Sequence, residues 1–210
     1  MAFIDTTSPE AANDTVAAMY RRQQAAWGYV PNYAKVFSLR PETLARWGQL
    51  LSEIKRPMDK RRFELVTFAA ALELHNTACA LVHGRVLREF FSDAQILAIA
   101  AGRCDGVLSE GEQAMLAFAR QTARDATRTS ASDIAALKRH GYSDADIFDI
   151  AAAAAGRAFF AKLLDALGTL PDSALNQLDE PFRRALTVGR PIDDGACITM
   201  PMPEPLIDTR

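Results

Sequence analysis

The chain has 210 residues, 49% of them apolar and 24% charged, with a formal charge of −2. That length suits one domain with a full core. The charge offers no basic footprint for nucleic acid, and no apolar run reaches the roughly 18 residues a membrane helix needs. The opening residues, MAFIDTTSPE, have neither a basic stretch nor an apolar one, so no secretory signal is read. Cysteines at 79, 104 and 197 make no disulfide framework, and a reducing cytoplasm is the expected setting.

Taken in order, Ser8-Pro9-Glu10 reads as a helix start, and the helix is predicted to run to Trp27 and close at Gly28. Tyr29 to Asn32 reads as a turn. Trp27, Tyr29, Tyr33 and Phe37 are expected to pack rather than to wall a substrate site. Pro41 opens a helix to about Lys55, and Pro57 breaks the chain. Asp59 caps the helix that carries Glu64, whose Ala69-Ala70-Ala71 run permits close packing. Asn76 and Thr77 are cap residues for the next helix. Ser92-Asp93-Ala94-Gln95 is a capping box opening a short helix to Gly102, and Cys104-Asp105-Gly106 is a loop. Ser109 starts a longer helix through about Ala126, Ser130 or Ser132 a short one stopped by Gly141, and Ser143 a long one ending near Gly168. No segment alternates with period two, so the chain reads all-α. After Gly168, Pro171, Pro181, Pro191, Pro201, Pro203 and Pro205 punctuate the tail, and residues 180–210 read as an extended arm that either wraps its own or a neighbouring subunit or is mobile.

An internal echo runs through this order. Phe91-Ser92-Asp93-Ala94-Gln95-Ile96 recurs as Tyr142-Ser143-Asp144-Ala145-Asp146-Ile147 at an offset of 51, and Glu64 has a possible counterpart in Glu112. The single domain of residues 1–210 is therefore divided into N-terminal helices (1–58), an active unit (59–102), a degenerate second unit (103–170) and the arm (171–210).

Chemistry concentrates between Glu64 and His83. Cys79 and His83, four apart, share one face of a helix. Cys79 falls in the first turn after Asn76, where unpaired N–H groups and the helix dipole favour a thiolate. His83 can take the thiol proton, and Glu64 on the preceding helix can orient the ring, giving nucleophile, base and a third group behind the base. In a straight hairpin Glu64 lies about 18 Å from Asn76 and His83 about 10 Å, so an indirect or water-bridged contact is expected. His75 reads as a helix-end residue and His140 as a structural cation at a helix C-terminus. No metal or other cofactor is implied, because Cys79 and His83 are only two plausible ligands. Arg157 falls in an apolar row, either buried beside Glu64 or a site water network, or snorkelling to the surface.

The pattern E-x14-C-x3-H formed by Glu64, Cys79 and His83 resembles that of the AhpD-like branch of the carboxymuconolactone decarboxylase superfamily. Trp27-Gly28-Tyr29-Val30-Pro31-Asn32, Phe91 to Ile96, Arg157 to Lys162 and Val188-Gly189-Arg190-Pro191-Ile192 resemble further landmarks of its peroxidase-related subgroup. Together they span roughly residues 27 to 192. One position departs: redox-active members carry C-x-x-C, and the first cysteine is Asn76 here.

The resemblance implies an AhpD-like helical fold, a homo-oligomer (dimer, trimer or hexamer), and a thiol oxidoreductase that reduces a peroxide through Cys79 with a His83/Glu64 relay. Cys104, Cys197, another subunit or an external thiol reductant would then resolve the oxidised cysteine. Two alternatives stay open: acid–base chemistry on a small carboxylated substrate with His83 as proton donor, and a helical oligomer that has lost its chemistry.

Overall fold

The computed structural model describes residues 2–195, and among these the chain is helical with no strand. Ten α-helices follow in order: α1 (Asp14–Trp27), α2 (Asn32–Val36), α3 (Pro41–Lys55), α4 (Lys60–Glu73), α5 (Thr77–Leu87), α6 (Asp93–Ala100), α7 (Glu110–Asp125), α8 (Ala131–Arg139), α9 (Asp144–Ala166) and α10 (Glu180–Leu186). Short 3-10 turns occupy Phe37–Leu39, Ala126–Arg128 and Ser173–Gln177.

Helix α4 is the axis of the bundle. Every residue from Phe63 to Ala71 is buried, so it has no solvent face, as expected of a helix enclosed on all sides. It packs against α5, α7 and α9. The three alanines let those neighbours approach, and Phe63, Leu65 and Phe68 fill the gaps with no exposed surface. Burying each such side chain contributes about 1.5–3 kcal/mol.

The turn from α4 into α5 is tight. His75 adopts a left-handed conformation (φ 53°). Its N–H donates to the Leu72 carbonyl (3.1 Å), and the Asn76 N–H donates to that of Ala71 (3.0 Å). This paired closure ends α4. Asn76 begins α5 at once, its Oδ1 accepting the Cys79 N–H at 2.9 Å.

The segment after α10 lies on this turn. The Gly189 N–H donates to Thr77 Oγ1 (2.9 Å), and a Cβ at Gly189 would meet the His75 carbonyl oxygen at 1.8 Å. Only glycine fits there, which gives the Val188-Gly189-Arg190 landmark a steric basis. Gly84 serves a similar close approach, since a Cβ would fall 2.7 Å from Leu186 and 3.1 Å from Phe68.

The caps at Asp59, Ser92, Ser109 and Ser143 form as read, and Gly28, Gly141 and Gly168 have positive φ at helix ends. Three expectations need correction. The first helix starts at Asp14, because Ser8 and Ala11 close an isolated turn and Asn13 is extended (ψ 179°). Asn32 does not end a turn but opens α2, with Pro31 as its N-cap. Residues 180–195 are not extended throughout: Glu180–Leu186 forms α10, which packs on α5 and α6 of the same chain, and the stretch after it covers the α4–α5 turn. Cys197 and the remainder of the tail lie outside the described residues. Glu112 completes the Ser109 capping box and pairs with Arg61 (2.8 Å), a surface role.

Candidate active site

The α4–α5 hairpin brings Glu64 and His83 into direct contact. His83 Nδ1 lies 2.6 Å from Glu64 Oε2, with both side chains buried. This corrects the expected indirect contact. Helix α4 ends at Glu73, so Glu64 sits about 13 Å from its end and His83 about 9 Å from the start of α5. Two long side chains span the remaining difference.

Burial pushes the Glu64 carboxyl up, but the His83 ring beside it, with Lys55 and Arg157, outweighs that and holds it below the usual range. Burial also pushes His83 down, and Arg157 pushes it further, against the pull of Glu64. The pair therefore rests as carboxylate and neutral imidazole. An ionised carboxylate only accepts, so Nδ1 carries the proton and Nε2 keeps its lone pair. Thr67 Oγ1, which donates to the Phe63 carbonyl (2.8 Å), lies 3.2 Å from Nδ1 and offers it a second acceptor.

Cys79 occupies the third position of α5 and is 5% exposed. Its sulfur meets a residue outside the sequence motif, with Arg157 Nη1 at 3.4 Å. Burial pushes the thiol up, and the guanidinium pulls it back part of the way. Arg157 comes from α9, is 4% exposed, and lies 5.6 Å over the Phe160 ring. It does not snorkel. Its signal in the sequence was one arginine in the apolar face of an alanine-rich helix.

Asn76 has a structural task that explains its place at the departure from C-x-x-C. Besides capping Cys79, its Nδ2 donates to Asp165 Oδ2 (2.9 Å), tying the start of α5 to the end of α9. Arg190 donates to the Asp165 carbonyl (2.7 Å) and closes the same corner.

Cys79, His83 and Arg157 line a cavity of about 660 Å³ enclosed by α1, α3, α5, α9 and the 169–175 segment. Much of the rest of its lining is aromatic: Trp27, Tyr29, Tyr33, Trp47 and Phe160. Tyr33 meets Phe160 edge-on (5.4 Å), and Trp47 stacks on Phe160 (6.1 Å). Three of the four aromatics expected only to pack thus face the cavity, whereas Phe37 is core. Sequence spacing could not find this wall, because its members come from α1, α2, α3, α9 and the turn between α1 and α2. His75 and Cys104 are not on the cavity wall. Among the described residues, no three His, Cys, Asp or Glu side chains gather so as to hold a metal ion.

Asp172 is a second acidic group on the cavity wall. Its Oδ1 accepts the Asn32 N–H (2.6 Å), and Asn32 also reaches Asp193 (3.2 Å). Burial pushes its carboxyl up to about 6, with Asp193 adding to the shift against the backbone bond from Asn32 and against Lys35. A raised folded value favours folding below the unfolded pKa and loses that contribution as pH rises through about 6. His83 and Glu64 are depressed, so the unfolded chain takes up their protons first and their contribution is lost on acidification, His83 from about pH 6.5 downward and Glu64 from about 4.5. The two effects oppose each other between about pH 4 and 6. Asp172→Asn is expected to raise stability at pH 7.5 by about 1–3 kcal/mol and to steepen the loss from pH 7 to 5, as read by urea unfolding. An unchanged pH profile would rule this out.

No family model matches the sequence, and no curated protein matches it. Solved structures do. An uncharacterized peroxidase-related protein from Ralstonia eutropha JMP134, described as an alkylhydroperoxidase AhpD core, superposes with TM-score 0.70 at 20% identity, over 90% of this chain and 98% of that one. The debrominase Bmp8, solved with 2,3,4-tribromopyrrole, gives 0.66 at 17% identity, over 86% and 94%. A putative antioxidant defence protein AhpD from Agrobacterium tumefaciens gives 0.59 at 19%, over 64% and 93%. The chain therefore has the all-α AhpD-like fold. These neighbours include proteins described as peroxidase-related and one described as a debrominase. Among the described residues, no helix is long and apolar enough to cross a membrane.

Proposed function

We propose that the protein is a thiol-dependent oxidoreductase that reduces bulky organic hydroperoxides at Cys79. The observation that carries this is a single cavity lined by both Cys79 and His83, with the His83 ring braced by Glu64. His83 Nε2 takes the thiol proton. The thiolate attacks the terminal oxygen of R–O–O–H, an S–O bond forms, the O–O bond breaks, and R–O⁻ takes the proton from His83. The products are cysteine sulfenic acid and an alcohol.

Cavity volume and its aromatic wall favour an organic body over hydrogen peroxide. Because Cys104 is off the wall, one external thiol condenses with the sulfenic acid to a mixed disulfide with loss of water, and a second displaces the Cys79 thiolate, leaving an external disulfide. A homo-oligomer is part of the proposal, and exposed Phe148 and Phe159 on α9 and Leu50 on α3 supply apolar surface for it.

A trapping experiment tests the reaction. After one equivalent of an aromatic hydroperoxide, a sulfenic-acid probe should label Cys79 in most of the protein, and more slowly with hydrogen peroxide. The same treatment of Asn76→Cys should give an internal disulfide and no label. An unlabelled Cys79 in the wild type refutes the proposal.

A further inference from the structure

We infer that Arg157 is a catalytic residue: its guanidinium is the charge partner of the Cys79 thiolate and then of the alkoxide released when the O–O bond breaks. The inference rests on the thiol chemistry proposed for Cys79, and it adds a residue that the E-x14-C-x3-H pattern does not contain.

The geometry is direct. Arg157 Nη1 lies 3.4 Å from the sulfur, within contact distance of the atom that must carry negative charge. The Nε–H is buried and has no acceptor. An arginine offers five donors in a rigid fork, and a buried donor left without an acceptor is unfavourable. Phe160 lies beneath the guanidinium and is itself stacked on Trp47, so the fork is held in position. The side chain is therefore a fixed cation on a cavity wall with donors to spare, beside a nucleophile.

Charge balance supports the same role. At rest the site holds Glu64 as carboxylate and Arg157 as cation, with Cys79 and His83 neutral. Moving the thiol proton to His83 adds an anion at the sulfur and a cation at the ring and leaves the sum at zero. Arg157 stabilises the first and disfavours the second. After attack, the sulfur is neutral sulfenic acid and the negative charge has moved to the alkoxide oxygen. The same guanidinium can follow it through its unused donors until His83 returns the proton. Other charged groups that act on this centre are Glu64 of α4, Lys55 of α3 and Asp165 of α9. Asp165 raises the thiol, opposite to Arg157.

Arg157→Met and Arg157→Lys test this by iodoacetamide alkylation of Cys79 against pH and by ring NMR of the three histidines. In Arg157→Met, alkylation below pH 8 should drop at least tenfold and recover to the wild-type rate at high pH, while His83 protonates at a higher pH. Loosening of the site would instead expose the thiol and let it ionise at a lower pH. A profile that stays in place or moves down overturns the inference. Arg157→Lys keeps the charge and loses the fork, so alkylation should stay within about threefold of wild type while hydroperoxide reduction falls at least tenfold. Wild-type reduction rates in Arg157→Lys would overturn the alkoxide role, even if the methionine variant does not fold. If Cys79 never forms sulfenic acid, the proposed function fails, and the alkylation profile still decides the charge-partner role.

Discussion

Cys79→Ser should lower hydroperoxide turnover by roughly a thousandfold or more, because a serine hydroxyl is a far weaker nucleophile with no base strong enough to ionise it. Stability should change by less than about 1 kcal/mol. Serine is isosteric apart from a smaller atom at the sulfur position, and Arg157, whose Nη1 lies 3.4 Å from the sulfur, supplies a donor for the hydroxyl. The comparison separates the two catalytic alternatives. If the substrate were a small carboxylated compound processed by proton transfer, His83 with Glu64 behind it would act without the sulfur, and turnover would survive the substitution. Steady-state rates with an aromatic hydroperoxide and with small lactones and carboxylates therefore discriminate. Silence with all of them in both proteins would favour a helical oligomer without this chemistry.

Glu64→Leu should be the most damaging single change to stability in the site, costing about 3 kcal/mol and lowering the melting temperature by roughly 10 °C. The carboxylate is 3% exposed and holds the His83 Nδ1 at 2.6 Å. Leucine fills most of the space but removes the nearby negative charge that offsets Arg157 and leaves His83 to Thr67 alone. Glu64→Gln keeps the shape and an acceptor oxygen, so most of the stability should return. Activity should not, since a neutral partner makes the imidazole a weaker base for the thiol proton. Thermal melts and turnover measured on both variants check this. A leucine variant as stable as the wild type would show that the buried carboxylate–imidazole hydrogen bond contributes nothing.

The local features legible in the sequence are those decided by neighbours in the chain. Cap residues, glycine stops and proline starts placed most helices to within a residue or two, because each acts on the backbone of its own turn. The failed start at Ser8 shows the limit: one serine bond to Ala11 makes a turn but does not nucleate a helix. Spacing also placed Cys79, His83 and Glu64 around one helical hairpin. It misjudged how directly Glu64 meets His83, because the end of α4 is set by a paired closure at His75 that no propensity scale marks.

By itself the sequence determined that the protein is all-α, where its helices begin, and which thiol, imidazole and carboxylate could act together. These are matters of backbone capping and of the 3.6-residue repeat, and both are short-range. Only tertiary packing decided that Arg157, 78 residues beyond Cys79, reaches its sulfur, that aromatics from four helices wall the cavity, and that Gly189 seals the turn beneath it. Those contacts depend on how helices cross, and crossing is settled by the shape and burial of whole faces rather than by any local run of residues.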